Sequence, residues 1–218
     1  MIEIKDLEKI YPNGTTALAK INLRIEKGDF VYLSGESGAG KTTLLKILHG
    51  EETSTYGYIK YNGMDIKKIP SHALKRKISL SYQDFMLIED RTVLENITLP
   101  LQFRGESFRS MLNKSSTILE AMKLKDKMYI LVSELSGGEK QRISIARAII
   151  TNPEVILLDE PLGNIDKGTA VEIMSYIEAL NEKGTTVIMS THHMLDENST
   201  PKKIIKLHRG RIINKDYV

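Results

Sequence analysis

The run GESGAGKT, Gly35 to Thr42, follows the short apolar stretch FVYLS and leads into TTLLKILHG. Glycines at 35, 38 and 40 let a backbone fold back with its N–H groups turned inward, where a side chain would block the approach of a phosphate. A helix opening at Lys41 adds the partial positive charge of its N-terminus. Lys41 supplies a full charge for β- and γ-phosphates, and the Thr42 hydroxyl is a ligand for Mg²⁺. Ser37, Ala39 and Thr43 belong to the same turn and are expected to contact the same phosphates.

A second cluster is acidic. VILLDEP, Val155 to Pro161, is a continuous apolar run ending in Asp159 and Glu160. In an open parallel sheet, ligands bind outside the carboxyl ends of the strands. Asp159 is therefore placed to hold Mg²⁺, and Glu160 to polarise a water attacking a γ-phosphate. His192 follows the strand pattern Thr185 to Ser190, where a neutral imidazole would bond the γ-phosphate; His193 reads as an ordinary surface or core histidine. Gln83, just beyond another strand pattern, offers an amide oxygen to Mg²⁺ or to the water.

These residues need a scaffold that presents strand ends. Strand patterns cover Met1 to Ile10, Ala19 to Ile25, Phe30 to Ser34, Tyr58 to Tyr61 and Ile78 to Tyr82, with turns at Pro12-Asn13-Gly14 and Asn62-Gly63. From about Thr92 to Ile150 the pattern is helical, clearest over Leu112 to Met122 and Glu139 to Ile150. Strand Val155 to Asp159, helix Thr169 to Leu180, strand Thr185 to Ser190 and a hairpin around Arg209-Gly210 close the chain. Alternation of strand and helix predicts an α/β fold with a mainly parallel sheet, interrupted by a helical lobe.

The 218 residues suffice for one such domain, with a hydrophobic fraction of 41% and a charged fraction of 27%. The net charge of +3 does not argue for nucleic acid. The densest basic stretch, Lys67 to Lys77, reads first as a solvated face and second as a membrane-proximal surface. With no cysteine, disulfides and thiolate metal sites are excluded. No apolar run approaches the roughly 20 residues that span a bilayer, and the N-terminus lacks a signal-peptide core. A role at a membrane therefore implies another chain that holds this one there.

LSGGEKQR, Leu135 to Arg142, supports two readings. Ser136, Gly137 and Gly138 ahead of a helix make a second anion site; Ser136 followed by Glu139 also has the form of a capping box. With the glycine loop upstream and VILLDEP about 20 residues downstream, the chain resembles the ATP-binding-cassette (ABC) ATPases over essentially its whole length. The resemblance implies a P-loop NTPase with a RecA-like core and an antiparallel β subdomain within 1–90 and 150–218, and a helical signature subdomain at 91–149. It implies Tyr11 as the aromatic that stacks on adenine (by itself, more often a core or solvated strand residue), Gln83 as the Q-loop glutamine, Asp166 in the D-loop and His192 as the switch histidine. In this family the signature meets ATP held by a second subunit, so two composite sites form in a head-to-tail dimer.

The length argues against relatives with long coiled coils and against fused transporters. YPNGTTAL, YQDFMLIEDRTVLENITLPL and GTTVIMSTHH resemble the cell-division branch of the family; the lipoprotein-release and macrolide-export branches are the alternative. Leu162, where threonine is usual, and His193, where aspartate is usual, depart from that pattern. The cell-division resemblance implies a peripheral location on the cytoplasmic face of the bacterial membrane. It also implies an integral membrane partner, docked near Gln83 to Leu101, through which peptidoglycan hydrolysis is regulated.

Overall fold

The computed structural model describes residues 1–163, 165–191 and 203–217. Strands β1 (Ile2–Ile10), β2 (Thr16–Ile25), β4 (Tyr56–Tyr61) and β5 (Met64–Asp65) form an antiparallel sheet in the order β2-β1-β4-β5. Strands β3 (Phe30–Ser34), β6 (Ile78–Ser81), β7 (Val155–Asp159), β8 (Thr186–Thr191), β9 (Lys203–His208) and β10 (Arg211–Tyr217) form the other, in the order β10-β9-β3-β8-β7-β6. Every pairing in this second sheet is parallel except the β9–β10 hairpin. A mainly parallel core with an antiparallel β layer is the expected class.

The parallel register decides where chemistry is possible. Ser34 lies opposite Thr191, Asp159 opposite Ser190, and Ser81 opposite Leu158. The carboxyl ends of β3, β7, β8 and β6 thus share one edge, at which the glycine loop, the Asp159–Glu160 pair, Thr191 and Gln83 respectively stand. β7 is buried along its whole length. Val155 and Leu157 pack with β1, β2 and helix α1 (Lys41–His49), whereas Ile156 and Leu158 pack against the helices on the opposite face. Burial on both faces explains an unbroken apolar run where a half-exposed strand would alternate.

The helical stretch contains α3 (Val93–Gln102), α4 (Phe108–Ala121) and α5 (Gly137–Ile149), and a core of Val93, Ile97, Leu101, Leu119, Ile143 and Ile149 ties them to the sheet. Helix α6 (Lys167–Glu182) seats Ile173 and Ile177 in that same core. Several elements start earlier than expected: β2 begins at Thr16, and α6 starts two residues early because Asp166 caps it by accepting from the Thr169 N–H at 3.0 Å.

The basic stretch holds a 3₁₀ turn, Ile66–Lys68, and the short α2 (Ser71–Lys75). Two of its cations are engaged locally. Lys77 pairs with Glu154 at 2.8 Å, and the Arg76 guanidinium donates to the Phe103 carbonyl at 3.2 Å.

Candidate active site

The glycine loop crosses from β3 to α1 with Gly40 as the N-cap residue, and no side chain caps this helix. The first intrahelical bond runs from the Leu44 N–H to the Gly40 carbonyl at 3.0 Å. Among the described residues, the N–H groups of Lys41, Thr42 and Thr43 meet no acceptor, and the first turn holds no acidic residue. Such a donor-rich, positively polarised helix end suits a phosphate.

The glycines are required for a reason other than the one the sequence suggests. A β-carbon at Gly35 would lie 2.4 Å from the Leu207 carbonyl oxygen, and one at Gly40 would lie 2.5 Å from that of Ala17. Both contacts are with the protein's own backbone. Only Gly38 faces open space, so its left-handed φ of 76° is what favours glycine there.

Lys41 is buried, and its ammonium donates to the carbonyls of Gly35 (2.7 Å) and Glu36 (3.1 Å). It also lies 3.5 Å from Glu160 Oε1. Gln83 Nε2 donates to Glu160 Oε2 at 3.4 Å. Lysine, glutamate and glutamine, from three different strand ends, therefore meet around one carboxylate. The Glu160 backbone is left-handed, with φ 48°, at a cost of about 1–3 kcal/mol for a residue with a side chain. Ser190 holds it there: its hydroxyl accepts the Glu160 N–H at 2.9 Å and donates to Asp159 Oδ1 at 2.6 Å. Asp159 is 4% exposed, and among the described residues no donor engages its second oxygen.

A cleft of about 400 Å³ is lined by Thr15, Thr16, Ala17, Ser37, Gly38, Ala39, Gly40, Lys41, Thr42, Thr43, Gln83 and Glu160. The sequence reading anticipated the last nine of these. It missed Thr15 to Ala17, which reach the cleft where Gly40 and Gly210 pack against the Ala17 carbonyl. It also missed Ser190, a polar residue at a strand end beside Asp159. Tyr11 stands next to the cleft, its hydroxyl 3.3 Å from Thr43 Oγ1 and its ring 4.9 Å from the Lys9 ammonium. His192 lies outside the described residues.

Ser136, Gly137, Gly138 and Asp166 do not line this cleft. Ser136 forms a full capping box: its backbone N–H donates to Glu139 Oε2 at 2.9 Å and its hydroxyl accepts from the Glu139 N–H at 3.4 Å. Lys127 also pairs with Glu139. That ion pair and the bonds from Ser136 lower the Glu139 carboxyl to about 2. Among the described residues, the N–H groups of Gly137 and Gly138 meet no acceptor. Within one chain, the signature is thus a capped helix start with two donors unengaged among the described residues, apart from the cleft.

Comparison with known proteins gives the same arrangement a context. The ABC transporter family model matches residues 18–163. The chain is 41% identical to the cell division ATP-binding protein FtsE of Bacillus subtilis, covering 99% of this chain and 96% of that protein. It is 42% identical to an ABC transporter ATP-binding protein, MJ1508, of Methanocaldococcus jannaschii, covering 98% of each. Among solved structures, the dimeric post-hydrolysis state of the ATP-binding cassette MJ0796, bound to ADP and Pi, superposes with a TM-score of 0.91 at 32% identity, covering 100% of this chain and 98% of that one.

Proposed function

The chain belongs to the ABC transporter family, and from that premise we propose how its residues divide the work of an ATPase that drives a membrane complex. It hydrolyses ATP to ADP and phosphate, and it is FtsE-like. The observation that carries the site assignment is the convergence of Lys41, Gln83 and Glu160 at the floor of a cleft walled by the glycine loop.

In this reading the N–H groups and ammonium at the start of α1 bind the β- and γ-phosphates, and Tyr11 stacks on the base. ATP enters by exchanging Glu160 for its own γ-phosphate as the partner of Lys41, which frees Glu160 to orient the attacking water as general base. Gln83 and His192 report the state of the γ-phosphate. The oxygen donors Thr42, Gln83 and Asp159 suit a hard cation such as Mg²⁺, and the second oxygen of the buried Asp159, which meets no donor among the described residues, supports that fit. Bound there, the ion neutralises phosphate charge.

Ser136, Gly137 and Gly138 of one copy close on the nucleotide of the other, with Asp166 near the same junction. Dimerisation of related cassettes supports this. The protomer divides into a core and β subdomain, 1–90 and 150–218, and a helical subdomain, 91–149. Opening after hydrolysis follows from loss of the γ-phosphate that both copies share.

The FtsE relatives support a cell-division role. An integral membrane partner like FtsX would hold the ATPase on the cytoplasmic face, and the cycle would regulate peptidoglycan hydrolysis outside. No helix among the described residues is long and apolar enough to cross a membrane, which supports a separate anchoring chain. The test is co-purification from detergent-solubilised membranes of the source organism. Recovery of a short four-span protein that raises ATP turnover supports the division role. Recovery of a large paired or fused permease instead rejects it for transport.

A further inference from the structure

Just past the C-terminal end of α1, Glu51 and Glu52 both donate their backbone N–H to the Lys46 carbonyl, at 2.9 and 3.2 Å. The two acidic residues are thereby fixed to the helix that carries the phosphate loop at its other end. Their side chains go to different places. Glu52 Oε2 pairs with Lys9 at 2.7 Å, and Lys9 also donates to the Thr53 carbonyl at 3.0 Å. That ammonium lies over the Tyr11 ring, and the same tyrosine reaches Thr43 in the first turn of α1. Glu51 Oε1 lies 3.1 Å from His49 Nδ1 and accepts from the Tyr82 hydroxyl, and the Tyr82 and His49 rings meet edge to face at 6.3 Å. Tyr82 directly precedes Gln83.

We propose that the Glu51–Glu52 pair is a positioning bracket that sets the two ends of the nucleotide cleft independently. Glu52 acts through Lys9 on the ring that receives the base, and Glu51 acts through Tyr82 on the loop that presents Gln83 to the γ-phosphate. The inference rests on the roles assigned above to Tyr11 and Gln83. Lys9, held by Glu52, covers one face of Tyr11 and holds its orientation, which favours stacking on the face that remains. Glu51 fastens the residue before Gln83 to the same helix that fixes the phosphate loop, so the glutamine and the loop keep one geometry. His49 and Tyr82 hold the Glu51 carboxyl down at about 2, so it remains an acceptor throughout the working pH range.

The two halves separate kinetically. Steady-state ATP turnover by the purified full chain with Mg-ATP, together with mant-ATP binding and thermal melting, reads them. Glu52→Gln should raise KM and the mant-ATP Kd about threefold to tenfold and leave kcat within about twofold, in line with the strength of a cation–π contact. Tyr82→Phe and Glu51→Ala should lower kcat about fivefold or more with KM unchanged, as a misplaced catalytic group does. Glu51→Gln, which keeps an acceptor oxygen for Tyr82, should restore most of kcat. A merely structural role would shift the melting temperature in all four variants without this split. Parallel losses of kcat and KM at both glutamates, or wild-type kinetics in the bracket variants beside impaired Tyr11→Ala and Gln83→Ala, overturn the bracket. Wild-type kinetics in Tyr11→Ala and Gln83→Ala overturn the site assignment and the bracket with it.

Discussion

Helix α1 starts just after Gly40 and helix α5 starts at Gly137, and they treat their first N–H groups in opposite ways. At α1 no side chain reaches back, no carboxylate stands in the first turn, and Lys41 adds positive charge. At α5 the hydroxyl of Ser136 and the carboxylate of Glu139 close a capping box, and among the described residues the Gly137 and Gly138 donors are left over. The fold builds a second box of the same design at α3, where Thr92 and Glu95 bond each other with no phosphate chemistry assigned. The start of α1 is therefore a donor-rich helix end to which its own chain adds a cation rather than a cap. The start of α5 is a stable helix end with donors to spare, ready for an anion supplied from elsewhere.

The largest expected effect lies on the α1 side. Glu160→Gln removes the carboxylate shared by Lys41 and Gln83. Turnover should fall by about a hundredfold or more, as for loss of a general base, while an ATP-bound dimer accumulates in sedimentation. Near-normal phosphate release would remove Glu160 from that role.

Alanine in place of glycine separates the two helix starts. Gly40→Ala meets the Ala17 carbonyl at 2.5 Å with φ at 104°, so it should destabilise the fold by about 2 kcal/mol or more. Gly137→Ala meets nothing within 4 Å at an ordinary helical φ, so its melting temperature should hold or rise slightly. Its turnover should nevertheless fall about tenfold, because in the proposed dimer the added methyl faces the other copy's nucleotide. Full activity in Gly137→Ala would leave α5 as a cap and nothing more.

Ser136→Ala and Thr92→Ala sharpen the point. Each should cost about 1 kcal/mol as a lost N-cap, read by chemical denaturation. Only Ser136→Ala should also depress ATP turnover. Equal turnover in the two variants would make the boxes equivalent.

The smallest effect is in acid. The Glu139 carboxyl is lowered from 4.5 to about 2, first by Lys127. A depressed carboxyl contributes stability that is complete above pH 4.5 and is lost as the pH falls toward 2. Glu139→Gln should flatten the slope of stability against pH in that window. Glu51, also lowered to about 2, titrates there too, so the slope should shrink without vanishing. An unchanged slope would show that Glu139 is not held by Lys127.

What could be read from the sequence was local. The β3–loop–α1 junction announces itself because strand, glycines, lysine and helix are consecutive, and β7 announces itself because burial on both faces leaves no polar residue until Asp159. The capping box at α5 is also a contiguous pattern. Thr15 to Ala17 were not recognised as a cleft wall, because they reach it only where Gly40 and Gly210 pack against the Ala17 carbonyl. Ser190 escaped because its partners Asp159 and Glu160 come from a neighbouring strand. The Glu51–Tyr82 and Glu52–Lys9 pairings escaped for the same reason, since each joins residues more than 30 positions apart. For His192, the structure describes the strand leading to it as far as Thr191.

The central claim is that the start of α5 in one copy completes the cleft at the start of α1 in another. The chain has no cysteine, so introduced thiols report without background. In a Glu160→Gln background, one preparation carries Ser37→Cys and a second carries Gly137→Cys. The two are mixed and treated with a short bis-maleimide, with and without Mg-ATP. The account predicts a cross-linked species of twice the chain mass that requires both cysteines and ATP. Absence of that species, or a cross-link formed within a single chain carrying both cysteines, would contradict it.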